Sequence, residues 1–180
     1  MKKSILALAA AIGIAGAVQL ATAAPTDLSQ AARAKIEDDL FRKLTPIVGV
    51  FDYVAFKLDA DGTVTLLGQV REAAGKQRVE AEAKKTEGVK QVRNQVEVLP
   101  ASAADEKLRQ SLYRAIYEQS GFTRYKQQKV PPIHIIVKNG SLVLEGAVIT
   151  QQEYAQVNSA VKSVSGVASV KNNLRVDSAA

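Results

Sequence analysis

A constant shift of 78 residues maps positions 62–98 of this chain onto 140–176 without a gap, and this duplication constrains the fold more than any other feature of the sequence. Gly62, Leu66, Gly68, Val70, Val79, Gly88, Val89, Val92, Asn94 and Val98 recur as Gly140, Leu144, Gly146, Val148, Val157, Gly166, Val167, Val170, Asn172 and Val176. These are glycines that set backbone geometry and aliphatics that fill cores, with one asparagine among them. None of the pairs carries catalytic chemistry. What has been copied is a scaffold, and two copies of one small unit make up most of the chain.

The first residues have the layout of a cleaved secretory leader. Lys2 and Lys3 precede an apolar run from Ile5 to Val18, and Ala21-Thr22-Ala23 stands ahead of Ala24-Pro25, which predicts cleavage after Ala23. The apolar run is shorter than the roughly 20 residues that span a bilayer. With no cysteine in the chain, a lipid-modified cysteine and stabilising disulfides are both excluded. The expected product is a periplasmic protein without a transmembrane span. The organisation predicted is a leader over 1–23, a first unit over 24–100, a spacer over 101–104 and a second unit over 105–177.

Without Lys2 and Lys3 the 24 basic residues fall to 22 against 18 acidic ones, a net of +4. From 27 to 100 there are 12 basic and 12 acidic residues, whereas from 104 to 177 there are 10 and 6. The second copy therefore carries the surplus, which makes it the better partner for an anionic surface.

Within each copy the apolar period changes from helical to extended and back. Ala32, Ile36, Leu40 and Leu44 form one helical stripe and Leu108, Leu112, Ile116 and Gln119 another, behind Asp105 as the expected N-cap. Strands follow over Tyr53–Leu58 and Thr63–Val70, and over Ile133–Val137 and Ser141–Val148, with Asn139-Gly140 as a tight hairpin signal. A second helix is expected over Ala73–Glu87 and Gln151–Ser165, ended by Gly88 and Gly166 at the C-terminal cap, before a last strand over Val92–Val98 and Val170–Val176. Alternation places Val64, Leu66, Gly68 and Val70 on the face that meets the helices, with Leu142, Leu144, Gly146 and Val148 as their counterparts. Glycine in a central strand under a helix reads as a close-packing or bulge position. The fold class is α+β: two tandem αββαβ units, each a small three-stranded mixed sheet with two helices packed on one face.

The strands Thr63-Val64-Thr65-Leu66-Leu67-Gly68-Gln69-Val70 and Ser141-Leu142-Val143-Leu144-Glu145-Gly146-Ala147-Val148, with the segments Gly88-Val89-x-x-Val92-x-Asn94 and Gly166-Val167-x-x-Val170-x-Asn172, resemble the BON family. The resemblance covers both copies. It implies a small bacterial module of the periplasm, similar to the soluble osmotically inducible members. Phospholipid contact, support of envelope integrity under osmotic stress, or chaperone-like help to exported proteins are the roles it implies.

The residue inventory argues against catalysis and against a resident metal or cofactor. His134 is the single histidine and is expected exposed on the sheet face away from the helices. Asp59 and Asp61 read as turn residues, since one short turn offers too few ligands for a cation cage. Neither copy has the Gly-x-x-Gly loop with which some modules clamp RNA, so no nucleic acid is expected as partner. Two surfaces remain. Phe122, Arg124, Tyr125 and Lys126, with Arg109, Tyr113 and Tyr117 on the preceding helix, combine rings and cations as a lipid interface does; the same aromatics could instead cover the edge of the small core. Tyr53, Ala55, Leu67, Ile136, Val143 and Ala147 lie on the outer sheet faces. They serve either to dock one unit on the other or to bind unfolded clients or envelope proteins. The leading expectation is peripheral attachment of the second unit to anionic phospholipid, the alternative a holdase-like chaperone or an adaptor.

Overall fold

The computed structural model describes residues 27–128 and 130–177; the expected leader lies outside them. In the first unit α1 (Gln30–Leu44) begins where Ser29 accepts from Ala32 N, and its every-fourth-residue stripe of Ile36, Leu40 and Leu44 is buried. A 3₁₀ turn, Thr45–Ile47, ends it at Pro46. Then come β1 (Tyr53–Leu58), β2 (Thr63–Val70), α2 (Ala73–Lys84), β3 (Gln91–Asn94) and β4 (Glu97–Val98). The second unit repeats the order with α3 (Ala103–Tyr117), a short α4 (Thr123–Lys126), β5 (Ile133–Lys138), β6 (Ser141–Val148), α5 (Gln151–Lys162), β7 (Ser169–Asn172) and β8 (Arg175–Val176). Each sheet is mixed: β1 pairs antiparallel with β2, which pairs parallel with β3 and β4, and β5 to β8 follow the same plan.

The predicted inner faces are the cores. Leu58, Val64, Leu66 and Val70 pack with Ile36, Leu40, Val79 and Ala83; Ile133, Ile135, Val137, Leu142, Leu144 and Val148 pack with Leu112, Ile116, Val157 and Val161. Burying such side chains is worth about 1.5–3 kcal/mol each, so the inner faces of β5 and β6 and the facing helix stripes supply most of what holds the second unit together.

Four details differ from the sequence reading, each for a local reason. The N-cap of α3 is Ser102, which accepts from Asp105 N at 3.1 Å. Asp105 lies one turn in, where its carboxylate accepts from Asn139 N and Gly140 N at 2.8 and 2.9 Å and so ties the helix to the β5–β6 turn. The second helices stop at Lys84 and Lys162, which leaves Gly88 and Gly166 in the following turn rather than at the cap. The last strand is interrupted between β3 and β4 and between β7 and β8. There Asn94 Oδ1 accepts from Val96 N and Asn172 Oδ1 from Leu174 N, while each Nδ2 reaches the second helix at Lys76 O and Glu80 or at Asn158. Finally, Gly68 and Gly146 are pressed by the neighbouring strand and not by a helix. They have φ of 122° and 114°, and a Cβ on either would lie 2.1 Å from Tyr53 O or 1.9 Å from Pro132 O.

Candidate functional site

The first candidate region is the seam between the units. Phe51, in the segment ahead of β1, is 7% exposed and belongs to the core of the second unit, edge-on to Tyr113 with ring centroids 6.0 Å apart. Beside it Val50 O accepts from Ile135 N at 2.8 Å, so the chain before β1 covers the open edge of β5. Tyr53 meets the His134 ring at 5.6 Å, and Lys138 pairs with Glu97 at 2.5 Å. These two contacts bracket Ile136, 3% exposed on the outer face of its sheet. Ala55, Leu67, Val143 and Ala147 are half-buried on the outer faces.

The second region is the tip formed by α4 and the turn after β6. Tyr125 OH donates to Glu153 at 2.7 Å and accepts from Ile149 N at 3.2 Å, and Glu153 also accepts from Ile149 N at 2.8 Å and bonds Arg124. This network holds Ile149, 40% exposed, next to Arg124, whose guanidinium lies 4.9 Å over the Tyr125 ring, with Lys126 exposed on the same short helix. A cation lies over a ring here, Arg124 on Tyr125, but the rings expected at the surface face the core. Phe122 is 0% exposed, and Tyr117 and Tyr125 are buried with it. Tyr117 OH donates to Ile133 O at 2.5 Å and accepts from Ile133 N at 3.1 Å, and burial raises its pKa. Tyr113 is half-buried against Tyr117. Arg109, 3% exposed, donates to Val137 O at 2.6 Å. Of the seven residues expected at a lipid contact, Arg124 and Lys126 face outward, and the exposed apolar group is one the sequence reading left out, Ile149.

A family model described as the BON domain matches residues 53–100 and again 104–178. The chain belongs to the BON domain family. CdsD, a structural protein of the type III secretion system of Chlamydia trachomatis, is 16% identical to it over 78% of this chain and 93% of that one, with a TM-score of 0.33. The C-terminal domain of CdsD is 16% identical over 79% and 96%, with a TM-score of 0.31. Similarity that slight has no bearing on function. No curated protein matches the sequence.

In the BON family setting the tandem arrangement has its own electrostatics. His134 is half-buried in the seam, its Nδ1 3.1 Å from Gly49 O, rather than exposed. Burial lowers its pKa, against smaller opposing effects of the Gly49 and Asp52 backbone and the Asp52 and Glu145 charges. A folded-state pKa below the ordinary value near 6.5 means that the unfolded chain binds more protons in that range. The contribution of His134 to stability is therefore present above about pH 6.5 and is lost as pH falls through the folded value. As the single histidine, it gives one clean imidazole signal in a proton NMR titration, with a midpoint expected below 6.5; a midpoint at or above that value would contradict the burial. Among the described residues no helix is long and apolar enough to cross a membrane. Asp61 is satisfied within its own turn, its two oxygens accepting from Thr63 N and Thr63 Oγ1 at 2.8 and 3.0 Å.

Proposed function

We propose that this BON-family chain is a non-enzymatic binding module of the bacterial envelope, exported to the periplasm, whose second unit attaches reversibly to anionic phospholipid surfaces. The observation that carries this reading is the tip at which Glu153 joins exposed Ile149 to Arg124, with Lys126 exposed on the same short helix. The buried aromatics behind it act as a rigid mount. Each cation near an anionic bilayer contributes about 1 kcal/mol, and burying the open part of Ile149 adds about 1 kcal/mol more. That sum gives weak, salt-sensitive association and not anchoring. Burial of Ile136 in the seam weighs against the client-holding alternative, which needs that face open.

Co-sedimentation with phosphatidylglycerol and phosphatidylcholine vesicles tests the proposal. Binding should be confined to the anionic vesicles, fall on going to physiological salt, and weaken roughly tenfold in the double variant Ile149→Asp, Lys126→Glu, as loss of about 1.4 kcal/mol or more predicts. Both positions are exposed, so the fold should persist. Absence of binding at low salt, or equal binding to the zwitterionic vesicles, would reject the reading.

A further inference from the structure

The turn between β5 and β6 sets a reactive dipeptide against a buried charge. Asn139 is exposed at its tip and is followed by glycine, and the two residues have φ of 50° and 76°, as a two-residue hairpin requires. Asparagine before glycine is the pairing most open to deamidation, because no side chain shields the backbone nitrogen that attacks the carboxamide. Here that nitrogen is held. Gly140 N donates to Asp105 Oδ1 at 2.9 Å, and Asn139 N donates to Oδ2 of the same carboxylate at 2.8 Å. Asp105 is 3% exposed, and Gly140 O accepts from Ala168 N at 2.9 Å, so Gly140 is fixed on both sides.

The first unit builds the same joint the other way round. By the shift of 78, Asn139-Gly140 corresponds to Asp61-Gly62. By the shift of 76 that aligns Ile36 with Leu112, Asp105 corresponds to Ser29, the N-cap of α1. The acid that holds turn amides is therefore in the turn itself in one unit, where Asp61 accepts from Thr63 N, and on the helix in the other. Gly62 N meets only a neutral acceptor, Asp59 O, at 3.1 Å.

We propose that Asn139 is a site of spontaneous deamidation that the Asp105 carboxylate holds shut, so that conversion proceeds only when α3 lets go of the turn. In the reaction Gly140 N gives its proton to solvent and bonds to Asn139 Cγ. The carboxamide C–N bond breaks, and the nitrogen leaves as ammonia with a proton from water. Water then opens the five-membered imide at either carbonyl, giving aspartate or isoaspartate, and nothing is oxidised or reduced. The attacking nitrogen passes through an anionic state, which a carboxylate at hydrogen-bonding distance opposes. Its bond to Asp105 must also break before it can turn towards the carboxamide. The product sets a second carboxylate beside Asp105 and so opposes re-forming the tie. This chemistry is independent of the lipid contact proposed above.

The chain is incubated in mildly alkaline buffer, folded and in guanidinium chloride, and peptide mass spectrometry reads each conversion as a gain of one mass unit. Asn139 should convert in the folded chain roughly tenfold or more below its rate in denaturant, the rate equivalent of one charge-assisted hydrogen bond. Asp105→Asn removes the charge with little change of shape and should recover most of that factor. Asp61→Asn provides a comparison within one molecule and leaves the second unit unaltered. It places the same dipeptide in the exposed turn of the first unit, without a carboxylate on the glycine nitrogen, and position 61 should convert roughly tenfold faster than Asn139. This last measurement holds whether or not Asp105→Asn folds. Equal rates in the folded and denatured chain, an unchanged rate in folded Asp105→Asn, or equal rates at positions 61 and 139 would overturn the proposal.

Discussion

Gly146→Ala is expected to destabilise the second unit by about 3–5 kcal/mol, combining positive-φ strain with overpacking. The magnitude follows from what a methyl group would meet. The Cβ would lie 1.9 Å from Pro132 O and 3.0 Å from its carbonyl carbon, both backbone atoms of the strand edge, at a φ of 114°. Nothing there is the far end of a flexible side chain, so relief requires breaking the register of β5 on β6, in which Gly146 opposes Ile133. Because a domain of this size has a stability of only about 5–15 kcal/mol, the loss should appear as a large fall in the urea midpoint. Gly68→Ala should do the same in the first unit, where Tyr53 O is the obstacle at 2.1 Å. A midpoint within error of the parent would mean that the two strands do not approach as described.

Phe51→Ala is expected to cost about 3–4 kcal/mol, the usual range for emptying a buried phenylalanine site, and to cost it in the wrong unit. Phe51 precedes β1 in the chain, yet its ring packs in the core built by α3 and β5, against Tyr113. Hydrogen exchange should therefore show protection lost across β5, whose Ile135 amide bonds Val50 O, with less change in α1 and β2. Accelerated exchange confined to the first unit would contradict the assignment of Phe51 to the second core. The exposed ion pairs along the seam, Lys138 with Glu97 and Arg71 with Glu106, are worth at most about 1 kcal/mol each. Docking of the units rests on Phe51, the Val50–Ile135 bond and the burial of Ile136.

The site was less legible than the fold, and particular residues show why. Arg109 was read as a surface cation because its neighbours Tyr113 and Tyr117 are aromatic. A signal against this was available, since the helix stripes align Ile36 with Leu112 and Leu40 with Ile116, a shift of 76 that also aligns Arg33 with Arg109. Both arginines bond the carbonyl at the end of the first strand, Arg33 at Leu58 O and Arg109 at Val137 O. Phe122 and Tyr125 lie in a segment longer than its counterpart in the first copy, so the duplication could not say which way they face. Nothing in the sequence pattern marks Ile149, and what brings Arg124 to it is Glu153, four residues from Ile149 and 29 from Arg124.

Sequence alone determined the main helices and strands, their order, the inner faces and the duplication, because period, turn chemistry and glycine placement act over a few residues and are written twice. Tertiary structure decided what depends on distant partners. It assigned Phe51 to the other core, put His134 and Ile136 in a seam, turned the aromatics of α3 and α4 inward, and set Asp105 on the β5–β6 turn. A side chain's direction on a small domain is set by which neighbour desolvates it, and that neighbour is fixed only when the whole chain has folded.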